Sequence, residues 1–234
     1  SFIHRKLIII DDEVVFVGGV NLQPKALSWF DLVIKITNGP THQFKKMFAR
    51  TYQITKGEHT DILTFLLAPD KETLGIQIID HFPVLRYFKL RTHVMERLHS
   101  MQKTVTFATP YLVPPKWFDD TVISLLSQNK EVIFLLPFWT DSIMVNHVNR
   151  YYASRYQKRG AKVYILPVMN HSKAMLVDSK EGMIGSGNID NLSFGINSEI
   201  GVFFDDEKTV ANLKKIFEVW QKDSIIYLPE EHGL

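Results

Sequence analysis

The sequence predicts an α/β fold made of two similar repeats, and two observations support this prediction. The pattern His4-Arg5-Lys6, followed after four residues by Asp11, returns as His171-Ser172-Lys173, followed after four residues by Asp178. In the second half of the chain, short apolar runs alternate with segments of helical periodicity, an order that is typical of α/β proteins.

Each copy of the pattern then continues in the same way. Six residues after each aspartate, a turn of small residues ends in asparagine, as Gly18-Gly19-Val20-Asn21 in the first copy and Gly185-Ser186-Gly187-Asn188 in the second. Each of these residue types makes up only a few per cent of an average protein, so chance explains the double occurrence poorly. The repetition therefore indicates a duplicated functional unit.

The second half reads as a complete repeat of strands and helices. Before the second motif we expect strands at 105–109, 131–136 and 162–166, and helices at 114–126 and 141–159. Two prolines open the first of these helices and Gly160 ends the second. After the motif we expect strands at 174–177, 183–184 and 200–204, and a helix that includes 213–217.

The first half repeats only the later part of this order. Its motif is followed by apolar runs at 7–10 and 14–17, a strand at 32–36 and a helix that includes 44–48. We interpret the first repeat as truncated on its N-terminal side by roughly seventy residues, judged from the length of the second. The expected domains are the C-terminal part of the first repeat at 1–52, a connecting segment at 53–100 and the second repeat at 101–234.

Composition excludes several kinds of chemistry. Cysteine is absent from the 234 residues, so the chain has neither disulfides nor thiolate sites. The net charge of +2 gives no strong attraction to nucleic acid or to an anionic membrane, although a local basic face is compatible with it. No apolar run approaches the roughly eighteen residues that a membrane span requires.

Two weaker features favour structural roles. The histidines at 81, 93, 99 and 147 lack the spacing of metal ligands, so solvated or structural roles are favoured over metal binding. Between 60 and 97, basic residues mix with aromatic ones, as in surfaces that contact lipid or nucleic acid. A connecting helix with a solvated charged face is the favoured interpretation of that segment.

The duplicated pattern places phosphate-handling groups on one face of a strand. Side chains two residues apart share a face, so the histidine and lysine of each copy emerge side by side. Histidine can attack phosphorus or carry a proton near neutral pH, and lysine can hold a phosphate oxygen. The glycines allow a close approach of backbone to phosphate, and the asparagine adds an amide donor. Two such sets facing each other would hold one phosphodiester from both sides.

The motif HxKx4Dx6G(G/S)xN, present twice, resembles the signature of the phospholipase D superfamily. Further resemblance to the cardiolipin synthase branch lies in TPYLVP at 109–114, in Leu136-Pro137 and in Asp141. The resemblance covers 3–50 and nearly all of 101–225 and is weak from 53 to 100. It implies two repeats related by a pseudo-twofold axis, each a mixed β-sheet flanked by helices, with the active site formed in cis between them.

The resemblance also implies roles for the motif residues. His4 is expected to be the nucleophile that forms a phosphohistidine, and His171 the general acid, without a metal ion or other cofactor. The phosphate is expected to be held by Lys6, Lys173, Asn21 and Asn188. Because Gly19 stands in the first copy where Ser186 stands in the second, a hydroxyl contact to phosphate is expected from one half only.

Four acidic residues complete the predicted site. Asp31 and Glu199 begin strands 27 and 28 residues after the two motif histidines, and the resemblance implies that an acid there orients the histidine and favours its charged form. Asp11 and Asp178 belong to the catalytic motif but are expected to support the fold rather than to touch substrate.

Three functions remain open at this stage. The favoured one is a phosphatidyltransferase that moves a phosphatidyl group between phosphatidylglycerol molecules. The alternatives are a phospholipase D or nuclease that transfers the diester to water, and a remnant that only binds phosphodiesters. The expected partners are a phospholipid and the membrane surface, with nucleic acid disfavoured. The expected location is the cytoplasmic face of the cell membrane, peripherally, with any transmembrane anchor outside this chain.

Overall fold

The structure is a computed structural model that describes residues 2–37, 39–67, 75–83 and 88–227. Its strands are β1 (Leu7–Ile10), β2 (Val14–Gly18), β3 (Val33–Thr37), β4 (Ile76–His81), β5 (Thr104–Ala108), β6 (Leu112–Val113), β7 (Glu131–Pro137), β8 (Lys162–Leu166), β9 (Ala174–Val177), β10 (Glu181–Gly185), β11 (Ile189–Asp190), β12 (Glu199–Phe204) and β13 (Ile225–Ile226). Its α-helices are α1 (Thr41–Ile54), α2 (Thr60–Leu63), α3 (Lys89–Ser100), α4 (Lys116–Ser127), α5 (Ile143–Gln157), α6 (Asn191–Gly195) and α7 (Glu207–Lys222). Short 3-10 helices cover Pro24–Ser28 and Thr64–Leu67.

The described strands form one large mixed sheet and two smaller sheets. The large sheet has the order β13-β8-β7-β5-β9-β10-β12-β4. β1, β2 and β3 form an antiparallel sheet in the first repeat, and β6 pairs with β11 in parallel. The predicted α/β class, with a mixed sheet flanked by helices, is confirmed.

One edge of the large sheet collects the ends of the strands that carry the predicted site. β5, β7 and β8 run parallel to one another and are connected through α4 and α5. β9 runs antiparallel to β5, so Ala174 at its start lies opposite Ala108 at the end of β5. β10 ends and β12 begins at this edge, where Gly185 lies opposite Gly201. The loops at this edge therefore bring together residues that are distant in sequence.

The two repeats have the same local structure where both are present. β1, β2, β3 and α1 follow one another in the same order as β9, β10, β12 and α7. In each first hairpin, two residues with positive φ join the strands, Asp11 and Asp12 in one repeat and Asp178 and Ser179 in the other. Such values are those of a type I′ turn, whose twist matches that of the hairpin. The duplicated sequence thus produces a duplicated backbone.

Apolar side chains cover both faces of the large sheet. One core includes Phe118 of α4 and Tyr156 of α5. The other core contains Val17 and Phe44 of the first repeat together with Phe217 of α7. The first repeat is therefore attached to the second through a shared core, since burial of apolar surface is the main favourable contribution to packing. No helix in the described part of the chain combines the length and apolarity needed to span a bilayer.

The segment between the repeats differs from the predicted single helix. Residues 76–81 form β4, which pairs with β12 along its whole length, from Ile76 opposite Phe204 to His81 opposite Glu199. Isoleucines at three of its six positions favour a strand. Part of the predicted connecting segment thus contributes an edge strand to the large sheet. Residues 68–74 and 84–87 lie outside the described residues. They include Arg86 and Tyr87 of the predicted mixture of basic and aromatic residues.

Candidate active site

Each motif histidine is hydrogen-bonded to the carboxylate that follows the other motif. His4 Nδ1 donates to Glu199, at 3.0 Å from Oε1 and 3.1 Å from Oε2. His171 Nδ1 donates to Asp31 Oδ2 at 2.9 Å. An ionised carboxylate only accepts hydrogen bonds, so both rings carry their proton on Nδ1 and leave Nε2 for chemistry. Each of the two acids singled out in the sequence is thus hydrogen-bonded to the motif histidine of the opposite repeat.

Backbone contacts between the repeats explain this crossed pairing. Ile3 forms a parallel bridge with Ser198, and Phe30 forms one with Asn170. The amide of His4 donates to the carbonyl of Ser198 at 3.0 Å, and the amide of His171 donates to the carbonyl of Phe30 at 2.7 Å. Each histidine therefore lies beside the strand start of the other repeat, and the two halves are fixed to each other at the site itself.

The motif lysines occupy equivalent positions beside the histidines. Lys6 Nζ donates to the carbonyl of His4 at 2.8 Å, and Lys173 Nζ donates to the carbonyl of His171 at 2.5 Å. Lys173 Nζ also lies 3.0 and 2.9 Å from the two ring nitrogens of His171. Both ammonium groups interact electrostatically with Asp31 and with Glu199. The four charged groups and the two rings therefore belong to one site.

Burial disfavours the charged forms of the two lysines and of His171 at this site. Burial lowers the pKa of Lys173 to about 7, although the carboxylates of Asp31 and Glu199 act against it. Burial also lowers the pKa of Lys6 and that of His171. The hydrogen bond to Asp31 acts to raise the pKa of His171, whereas the charges of Lys173 and Lys6 lower it. An anion between the lysines would therefore relieve an unfavourable concentration of positive charge.

The hydroxyl of Ser186 contacts protein groups instead of the position expected for phosphate. Its hydroxyl donates to Glu199 Oε2 and accepts from the amide of Ile200 at 3.1 Å, and the residue is fully buried. The direct phosphate contact expected from Ser186 is therefore replaced by a hydrogen bond that holds the histidine-orienting acid. A serine at the equivalent Gly19 would be impossible without movement, because a Cβ there would lie 2.4 Å from Asp31 Oδ1.

The first glycine of each turn also has a different structural role from the one expected. A Cβ on Gly18 would lie 2.0 Å from the carbonyl oxygen of Leu32, and one on Gly185 would lie 2.4 Å from that of Ile200. These glycines allow a close approach of the neighbouring strand rather than of a phosphate. They thus let β3 and β12 bring the orienting acids to the histidines.

The asparagines of the turns lie beside the site. Asn188 is 7% exposed, and its buried Oδ1 has no hydrogen-bond partner among the described residues. Its backbone amide donates to Ser193 at 3.0 Å, which fixes the turn. Asn21 is half-buried, and its backbone carbonyl accepts from Gln23 at 2.9 Å. Phosphate binding by these two amides remains a prediction.

The motif aspartates lie in the hairpin turns, away from the histidines. Asp178 accepts from the backbone amides of Gln102, Lys103 and Thr104 at 2.7, 2.7 and 2.9 Å. Burial acts to raise the pKa of Asp178, but these three hydrogen bonds outweigh it and lower the pKa. Asp11 occupies the equivalent turn of the first repeat. Asp178 therefore joins the hairpin turn to the start of β5, which corrects its place among the catalytic residues to the structural role expected from the sequence.

Sequence reasoning missed a buried ion cluster beneath the first motif. Arg5 and Arg50 both donate to the carboxylate of Asp80, and Arg5 Nε donates to the backbone carbonyl of Glu199 at 3.3 Å. This cluster connects β4 and α1 to the start of β12. It supports the position of Glu199. The signal in the sequence was Asp80, an aspartate at the end of a mainly apolar segment. If such a carboxylate is buried, its charge must be balanced by a cation.

The mouth of the site contains contacts between the repeats that the sequence suggested only in part. Asp141 accepts from Tyr111 and, at 3.4 Å, from Lys25 of the first repeat. The ammonium of Lys25 lies 5.5 Å from the ring centre of Trp29, which in turn lies 5.3 Å from that of His171. The resemblance had pointed to Tyr111 and Asp141. Nothing in the sequence pointed to Lys25 or Trp29.

The site contains no arrangement of metal ligands. Across residues 2–37, 39–67, 75–83 and 88–227, no three or more histidine, aspartate or glutamate side chains are grouped so that they could hold a metal ion. Of the other histidines, His81 is fully buried and accepts from the amide of Leu90 at 3.3 Å. Burial lowers its pKa to about 4, which suits an uncharged structural residue.

The fold is a two-repeat α/β arrangement in which the motif histidine of each repeat is hydrogen-bonded to an acid of the other. The family model described as "Cardiolipin synthase, PLD-like domain" matches residues 94–220, which is more than half of the chain, so the chain belongs to this family. This confirms the resemblance inferred from the sequence.

Two curated relatives illustrate the similarity. Cardiolipin synthase A of Buchnera aphidicola subsp. Baizongia pistaciae is 26% identical over 243 residues, covering 97% of this chain and 50% of the relative. The major cardiolipin synthase ClsA of Bacillus subtilis is 27% identical over 236 residues, covering 95% of this chain and 48% of the relative. The chain thus spans about half the length of these relatives.

Solved structures share the fold. The phosphatidylserine synthase of Haemophilus influenzae superimposes with a TM-score of 0.75 at 15% identity, covering 99% of this chain and 65% of that one. The phospholipase D family member Nuc of Salmonella typhimurium superimposes with a TM-score of 0.55 at 14% identity, covering 65% of this chain and 97% of that one.

Proposed function

We propose that the protein to which this chain belongs is a phosphatidyltransferase of cardiolipin synthase type, which moves a phosphatidyl group from one phosphatidylglycerol to another at the membrane surface. The observation that carries the proposal is the crossed pair of hydrogen bonds, His4 with Glu199 and His171 with Asp31. It gives one site two oriented imidazoles, which a double-displacement reaction at phosphorus requires. The identity of the curated relatives supports the choice of reaction.

In the first step, Nε2 of His4 attacks phosphorus and the bond from phosphorus to the leaving alcohol breaks. His171 Nε2 gives its proton to the oxygen of that alcohol. The ring of His4 suits attack because its side chain is 30% exposed and Glu199 holds the proton on Nδ1. Lys6 and Lys173 stabilise the charge on the non-bridging oxygens.

In the second step, His171 takes the proton of the acceptor hydroxyl, which attacks the phosphohistidine and releases His4. Because His171 gives up a proton in the first step, it must be protonated when a diester binds, yet burial lowers its pKa. A bound phosphate compensates the charges of Lys173 and Lys6, two of the causes that lower this pKa. Substrate binding thus prepares the general acid.

Hydrolysis by the same intermediate is the second candidate, because water can replace the acceptor alcohol without any change in the groups described.

The proposed activity is tested by incubating the full-length protein with phosphatidylglycerol vesicles in the presence of chelator and identifying the products. Diphosphatidylglycerol and glycerol support the transferase, and phosphatidic acid supports the hydrolase. Lipid binding without turnover would support a non-catalytic remnant and contradict the proposal.

Two variants assign the histidines. With phosphatidylglycerol that carries radiolabelled phosphorus, His171→Ala should leave label on the protein or slow its release, whereas His4→Ala should prevent labelling. His147→Ala is the matched control, because this histidine is exposed on α5 and should leave turnover unchanged. Label trapped on His171 in the His4→Ala protein would reverse the two roles.

A further inference from the structure

A second concave site lies beside the mouth of the active site and has no part in the reaction described. It is a cavity of about 300 Å³ between the end of β7, α5, β8 and β13. Its wall is mainly apolar and includes Phe138, Ala153, Ile165 and Ile225. This volume is at the lower end of the range of small-molecule sites, which are typically apolar with a few polar groups.

Within the described part of the chain, the cavity wall carries a cation that no carboxylate pairs with. The guanidinium of Arg150 lines the wall and lies 4.8 Å from the ring centre of Trp139 and 6.0 Å from that of Phe138. No carboxylate among the described residues pairs with it, and α5 contains no acidic residue. By contrast, Arg155 on the same helix is paired with Asp119 at 3.0 Å. An apolar cavity with an unpaired cation at its wall fits a molecule with an apolar chain and an anionic head.

The surface around the cavity is unusually apolar. Trp139 is 55% exposed, Ile143 77% and Met144 76%. Ile225, which lines the cavity, is 63% exposed. Exposed tryptophan and aliphatic side chains next to a basic residue are the composition of surfaces that enter the interfacial region of a membrane.

The walls of the cavity are fixed to the loops of the active site. Asn149 accepts from the amide of Leu112 and donates to the carbonyl of Pro110, both at 2.8 Å. Asn146 accepts from the amide of Thr140 at 2.7 Å. The adjacent Asp141 forms the contact with Lys25 at the mouth. The cavity and the mouth therefore share two loops and face the same edge of the sheet.

From the apolar lining, the unpaired Arg150 and the exposed rim, we infer that this cavity binds one anionic phospholipid of the bilayer, with an acyl chain inside it and the phosphate at Arg150. The inference deepens the proposed function and rests on it for the choice of a lipid. It gives the active site an orientation, because the lipid-bound face and the mouth then point towards the same membrane surface.

The test is photo-crosslinking of the full chain to vesicles that contain phosphatidylglycerol with a diazirine on the acyl chain. We expect adducts on the peptides that contain 136–153 and 225–227, and at least about tenfold fewer with a diazirine-labelled diacylglycerol probe, which lacks the phosphate, since the charge-assisted contact to Arg150 is then absent. Equal labelling by both probes, or labelling spread over peptides outside the cavity, overturns the inference. Labelling must persist in His171→Ala, so a failure of the proposed catalysis is distinguishable from a failure of this inference.

Matched variants locate the two parts of the lipid. Arg150→Gln should reduce labelling by phosphatidylglycerol about tenfold, whereas Arg159→Gln, exposed just beyond the end of the same helix, should not. Ala153→Leu should fill the cavity and abolish labelling by both probes. Because Ala153 is buried, Ile225→Asp at the exposed rim provides a second variant, with Val219→Asp on α7 as its control. Unchanged labelling in Arg150→Gln and Ile225→Asp contradicts the inference.

Discussion

The buried ammonium of Lys173 should make the protein less stable than a variant that lacks it, by an amount that depends on pH. Lys173 is 1% exposed, and burial lowers its pKa from an ordinary value of 10.5 to about 7. Below the folded-state pKa, the whole desolvation cost opposes folding. As the pH rises from there towards 10.5, the folded protein releases the proton before the unfolded chain does, so the cost disappears.

The expected size follows from these two values. At ~1.4 kcal/mol for each tenfold change in the protonation equilibrium, the cost is about 4 kcal/mol at pH 7 and about 2 kcal/mol at pH 9. The hydrogen bond from Lys173 to the carbonyl of His171 offsets a constant part of about 1 kcal/mol. Lys173→Met should therefore be more stable than the natural protein at pH 7, with about 2 kcal/mol of this advantage lost by pH 9.

Urea unfolding at both pH values measures this difference, provided that the slope of free energy against urea is the same for both proteins. Lys116→Met is the control, because the side chain of Lys116 is 86% exposed and its removal should have a small, pH-independent effect. A stability difference for Lys173→Met that is the same at pH 7 and pH 9, or that grows with pH, would show that the buried ammonium does not carry this desolvation cost.

Three further predictions concern the supports of the site. Asp178→Ala should cost about 2–3 kcal/mol in urea unfolding, because three backbone amides lose their acceptor, while kcat of the folded enzyme changes less than about threefold. Gly19→Ala should cost about 2 kcal/mol or more because of its contact with Asp31, whereas Gly195→Ala, with open space around it, should be nearly neutral; melting temperatures distinguish them. Glu199→Gln should reduce kcat at least about 100-fold while circular dichroism stays unchanged.

Local structure was readable from the sequence because strands and helices follow their hydrophobic periods. The strand predicted at 162–166 agrees with β8, and the strand at 7–10 agrees with β1. The two acids were found by their common spacing from the histidines. The crossed pairing was not, since spacing along the chain does not reveal which repeat a side chain faces.

The features that the sequence did not predict depend on tertiary contacts. The role of Ser186 follows from the buried Oε2 of Glu199 beside it, and the absence of a hydroxyl at Gly19 follows from the proximity of Asp31. β4 was missed because its six residues end in Asp80 and His81, polar residues whose burial depends on partners in other elements, Arg5 and Arg50 for Asp80 and the amide of Leu90 for His81. Such compensation involves residues far apart in sequence.

The central claim is that His4 and His171 serve a single phosphate site. It is tested most directly by ¹⁵N NMR of the histidine side chains during titration with vanadate, a phosphate analogue. We expect the signals of both rings to shift with one dissociation constant, the pKa of His171 to rise on binding, and Lys173→Met to weaken both responses together. Shifts confined to one ring, or two different dissociation constants, would contradict it.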